Sequence, residues 1–155
     1  MSRVLRIVYL ISLSLWVGGV VFFSFLVAPV LFRAFPVERA GETVGVIFPG
    51  YHKLGILCGL SALASLVLVA LIERKWPLVR LSLLGVMVVV NLYAGLVTGP
   101  RASQLREAIH QKQGETASLE LKNEFHRFHQ QAVFFNGTIL LLGVVLLVDS
   151  GIRLR

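Results

Sequence analysis

The sequence predicts an all-α, polytopic membrane protein, with four transmembrane helices in one bundle and amphipathic interfacial helices in the first and third loops. Three observations carry that expectation. Hydrophobic residues make up 56% of the 155-residue chain and charged residues only 15%, against about 45 to 50% and about 25% in soluble globular domains. The mean hydropathy is +0.81. The charges fall in short intervals and leave four uncharged runs, each long enough for a helix to cross the bilayer.

The first run, residues 7–32, lies between Arg6 and Arg33 and exceeds the roughly 20 residues a spanning helix needs. A cleavable signal peptide has a shorter apolar core and a small-residue cleavage site, and neither is seen. Ser14-x-x-x-Gly18, followed by Gly19, offers a face for close backbone approach, and Trp16 beside it reads as packing. From Arg33 to Lys53 charges of alternating sign accompany Val37, Ala40, Val44, Ile47 and Phe48 at helical spacing. That pattern predicts an amphipathic helix in the interface, or an early start to the second span, interrupted at Pro49-Gly50.

The second span is expected over 54–72, with Gly55-x-x-x-Gly59 as another small face, and the charged turn Glu73 to Arg80 carries Trp76 at the interface. The third is expected over 81–99, with Asn91 near its middle. A carboxamide in hydrocarbon needs a partner, and a hydrogen bond to a neighbouring helix, worth about 0.5 to 2 kcal/mol, is preferred over a ligand contact. Gly99-Pro100 should break that helix. The following polar connection, residues 101–122, reads as two amphipathic pieces divided near Gly114. The fourth span, 130–148, ends at Asp149. Residues 1–155 thus form a single four-span domain.

Four crossings put both termini on one side, which carries seven Lys/Arg against two acids in short segments. The positive-inside tendency makes that side cytoplasmic and the protein an inner-membrane one. The net charge of +7 sits between apolar runs, so it reads as topology-setting charge beside lipid, with no nucleic-acid partner. The lone Cys58, inside an apolar run, reads as a small hydrophobe.

Function is sought first in Phe125–Asn136, where a polar connection becomes the last span. It sets His126, Arg127 and His129 at a membrane boundary, with Asn136 two turns after His129, about 10 Å along a helix. Four crossings bring Tyr51-His52-Lys53 to the same face, and His110 could join them. Neutral imidazoles from different helices suit copper or another transition metal, and less readily haem. His129, His126 and His52 are therefore the candidate metal ligands. Arg33, Tyr51, Lys53, Arg101, Arg127, Asn136 and Asn91 form the accompanying polar set. Nucleophile-elbow and phosphate-loop motifs are absent, and Glu120 with Glu124 reads as a solvated helix face, so the chain is expected not to be an enzyme.

Phe32-Arg33-x-x-Pro36, Gly41, Phe48-Pro49-x-Tyr51 with Lys53, Pro100-Arg101, and Phe125-x-Arg127-Phe128-His129 with Asn136 resemble the eukaryotic transmembrane protein 205 group and its bacterial relatives, a domain of unknown function. The resemblance implies a four-span bundle, an association of the eukaryotic members with resistance to platinum drugs, and a distant kinship with the copper resistance protein D membrane domain. Its pattern falls on Arg33, Pro36, Pro49, Tyr51, Lys53, Arg101, Arg127, His129 and Asn136. His126 and His52 depart from it, which leaves His129 with Arg127, Lys53 and Asn136 as the core, a basic set that suits an anion as well as a metal.

Three functions follow as expectations. The first is heavy-metal, copper-like binding or transport at the non-cytoplasmic face. The second is a haem-binding redox protein. The third is an accessory subunit or homodimer assembled in the lipid bilayer through Ser14, Gly18, Gly55 and Gly59.

Overall fold

A computed structural model describes residues 2–111 and 119–153. Almost all of these residues are helical, and four helices are long and apolar enough to cross a membrane. The protein is an all-α, multi-pass membrane bundle. The first helix comprises Ser2–Phe22, a π-turn Phe23–Val27 and Ala28–Ala34; the second is Val37–Glu73. The third comprises Leu78–Tyr93, a π-turn Ala94–Thr98 and Gly99–Gln111; the fourth is Leu119–Arg153.

The helices outrun the expected spans. Of the two readings of residues 33–53, the early start to the second span is the one found, and the helix continues through Pro49. Gly99-Pro100 does not break the third helix either, since helical structure continues to Gln111. The interfacial pieces expected in the first and third loops are thus extensions of the spans themselves. The physical reason is that a helix interrupted near hydrocarbon would leave backbone groups with no water to satisfy them.

Two of the prolines, Pro29 and Pro100, are absorbed in the same way. Both π-turns stop just short of an X-Pro pair, Ala28-Pro29 and Gly99-Pro100, with the N–H of Ala28 donating to the Phe23 carbonyl and that of Gly99 to the Ala94 carbonyl. Proline has no N–H and its ring crowds the carbonyl four residues back. One widened turn relieves that crowding without ending the helix.

The first helix packs most extensively on the second, the third on the second and fourth, and the fourth closes the bundle against the first. Leu13, Val20, Leu84, Met87, Ile139 and Leu146 fill the centre. Glycine sets the closest approaches. A Cβ on Gly59 would stand 2.8 Å from the Trp16 ring and 2.9 Å from Val88, and one on Gly143 would meet Val17. Gly55 and Gly59 are therefore consumed by internal packing under the buried Trp16 and do not form an outward face. Gly18 and Gly19 meet nothing within 4 Å, and Ser14 is exposed.

The end of the bundle that carries the termini is tied by polar pairs. Arg6 donates two hydrogen bonds of 2.8 and 2.7 Å to Glu73, Arg80 pairs with Asp149 at 2.5 Å, and Ser150 Oγ donates to the Tyr9 hydroxyl. Arg74, with φ 53°, ends the second helix in the left-handed conformation that a chain uses to leave a helix sharply.

Candidate functional site

His52 follows Pro49-Gly50 and precedes Lys53, so the sequence places it at a loop end. The structure places it inside the second helix, 7% exposed, with Lys53 beside it facing outward. The cause is register. His52 stands three and seven residues before Gly55 and Gly59, on the face where the first and third helices come closest. It lies 21 residues from Glu73, about 30 Å along the axis, and hence towards the end of the bundle away from the termini.

Asn91 of the third helix, 1% exposed, is its partner. The Asn91 amide Nδ2–H donates to the His52 carbonyl at 3.2 Å, so Oδ1 is the atom facing the ring, 3.0 Å from His52 Nδ1. Nδ1 therefore carries the hydrogen and donates it, which leaves Nε2 with a free lone pair. The expected interhelical hydrogen bond of Asn91 is thus present, to a residue that the sequence reading assigned to a loop.

The neighbours fix the ring further. Phe48 stacks on it at 5.4 Å between centroids and 10°, and Tyr51 meets it edge-on at 5.2 Å. A Cβ on Gly95 would be 3.0 Å from His52 Cβ, so the absence of a side chain in the π-turn lets the third helix close on the imidazole. A Cβ on Gly55 would be 2.8 Å from Asn91 Nδ2 and 2.9 Å from Trp16 Nε1, which brings the indole and the carboxamide together over one glycine. The network reaches the fourth helix through Tyr51, whose hydroxyl donates to Asn136 Oδ1 at 3.1 Å.

Thr98 belongs to the same π-turn. It is 1% exposed, and its Oγ1 is the one buried side-chain polar atom among the described residues with no hydrogen-bond partner. Sequence reasoning passed over Thr98 and Gly95, and read Phe48 only as part of an amphipathic face and of the family resemblance. The available signal was spacing, since Thr98 follows Asn91 by two turns and Phe48 precedes His52 by one.

The remaining candidates lie elsewhere. His126, Arg127 and His129 are exposed on the fourth helix, where Arg127 lines a shallow surface hollow with Gln130, Gln131 and Phe134. Arg33, Lys53 and Arg101 are also exposed. Tyr51 with Asn136, and His52 with Asn91, are the sequence-selected pairs that the bundle joins. His129 stands two turns from Asn136, about 10 Å along the helix. Among the described residues no group of three His, Cys, Asp or Glu could hold a metal ion. The side chains of His110, Glu120 and Phe125 lie outside the described residues.

A family profile described as Domain of unknown function (DUF4149) matches residues 11–111. The chain belongs to this family. The matched region contains Tyr51, His52, Asn91, Gly95 and Thr98, and it stops before His126, His129 and Asn136. An uncharacterized protein of Aquifex aeolicus (strain VF5) is 48% identical over 50 residues, which cover 32% of this chain and 38% of that protein. The similarity thus spans less than half of that relative's length. No solved structure matches the chain.

Proposed function

We propose that this protein handles a heavy-metal ion as cargo, with His52 as the ligand deepest in the bundle. The observation that carries the reading is the reciprocal His52–Asn91 pair, which holds Nδ1–H in a hydrogen bond and leaves Nε2 as a donor to metal. Metal-binding histidines are commonly oriented in this way, by a partner on the other ring nitrogen. The loop motifs that resemble the transmembrane protein 205 group, and more distantly the copper resistance protein D membrane domain, favour the same class of ligand.

The donor set limits the chemistry. One imidazole gives one bond, and with no three-residue cluster among the described residues the remaining positions fall to water, to the cargo's own ligands or to a passing contact. A closed structural site would need four protein ligands. A site with one protein bond exchanges its ion readily, as a carrier must. Imidazole without Cys or Met suits borderline divalent ions such as Cu(II) or Zn(II) better than Cu(I). With both termini cytoplasmic, His52 lies towards the outer face, and the exposed His126 and His129 of the fourth helix form an entry point.

The test is metal bound at equilibrium, read by dialysing purified protein against Cu(II) or Zn(II) and comparing the two compartments by elemental analysis. His52→Ala should lower the stoichiometry and His129→Ala should slow loading, whereas full binding by His52→Ala would overturn the proposal. A Soret band in the same sample would replace the metal with haem.

Assembly is a second reading, favoured by the outward Ser14–Gly18 face, which nothing in the bundle covers within 4 Å of Gly18. Gly18→Leu should then convert a detergent-solubilised dimer to monomer, and an unchanged oligomeric state would dismiss it.

A further inference from the structure

We infer that the end of the bundle carrying the termini holds an anionic lipid, in a cleft of about 400 Å³ walled by the first and second helices and the turn after Arg74, and bounded by Arg80 of the third helix and Ser150 of the fourth. The cleft has two characters. Arg6, Lys75 and Arg80 supply cations, while Leu66 and Val69 continue it into the apolar part of the bundle beside Trp76. An acidic head with an acyl chain matches both.

The charge balance favours an anion. Glu73 is the acid of the lining, and both its oxygens are engaged by Arg6. Arg80 is matched by Asp149. Lys75 is exposed and has no carboxylate within ion-pair distance among the described residues. It is therefore the cation left to a ligand. Location decides between a lipid and a soluble anion. The uncharged run of the second helix ends at Ile72, so a head group held by Lys75 lies at the hydrocarbon boundary, and Trp76 is the aromatic preferred at that level. The left-handed turn at Arg74 is what places Lys75 and Trp76 beside the first helix instead of one helical turn farther on.

The full chain reconstituted in nanodiscs of phosphatidylcholine with and without phosphatidylglycerol tests this by native mass spectrometry and thermal unfolding. Phosphatidylglycerol should be retained and should raise the unfolding temperature. Lys75→Gln should weaken retention about fivefold, the effect of one cation near an anionic surface, and Trp76→Ala should also weaken it. Lys53→Gln, at the other end of the bundle, should leave retention unchanged. Retention by Lys75→Gln equal to that of the unmodified chain would overturn the inference, as would stabilisation by inorganic phosphate equal to that by the lipid.

Discussion

Two stretches of this chain are spelled almost alike and are treated oppositely by the fold. Phe48-x-x-Tyr51-His52 and Phe125-x-x-Phe128-His129 each set two aromatics and a histidine where an even-numbered span begins. His52 is buried and bound to Asn91, and His129 is exposed. What differs is the opposing surface. Gly55, Gly59 and Gly95 let three helices close around His52, whereas His129 is followed by the exposed Gln130 and Gln131, and nothing lies within 4 Å of a Cβ on Gly137. An imidazole is drawn into a membrane bundle where the opposing helices leave it a space and a hydrogen bond within that space, because burial without a hydrogen bond is costly in hydrocarbon.

That contrast can be broken most strongly at the glycines. Gly55→Leu should destabilise the bundle by about 3 kcal/mol, since its first added atom already collides with Asn91 and Trp16. Gly137→Leu should stay within about 0.5 kcal/mol. Reversible unfolding in detergent compares the two, and equal losses would erase the distinction between the stretches.

Removing the partner comes next. Asn91→Leu leaves the imidazole N–H of His52 buried and unpaired, at a cost of about 2 kcal/mol. Combining it with His52→Leu should recover part of that loss, and a double-mutant cycle measures the coupling. Tyr51→Phe removes the single bond to Asn136 and should cost about 1 kcal/mol in the same assay. The smallest effect is expected at the other histidines, where His126→Ala with His129→Ala should change stability by less than about 1 kcal/mol. A larger loss would show that this stretch is held as firmly as the first.

Much of the architecture was legible because hydrocarbon imposes a simple rule on composition. The four uncharged runs mark the spans, and Asn91 stood out as a polar group that needs a neighbouring helix. Pro49 and Pro100 misled because the usual effect of proline, ending a helix, presumes water for the freed backbone groups. Here Pro29 and Pro100 each follow a π-turn, and Pro49 lies within a continuous helix. His52 was legible as a candidate but not as the buried one, because Lys53 beside it marks a boundary while the side chains of adjacent residues point about 100° apart on a helix.

The sequence by itself determined the number of crossings, the helical class and the residue types available for chemistry, since each depends on local hydropathy and charge. Tertiary structure alone decided which histidine is enclosed, which ring nitrogen carries its hydrogen, and that Gly55 and Gly59 serve inward packing. Those outcomes depend on the surfaces of other helices, and residues distant along the chain meet only when the bundle closes.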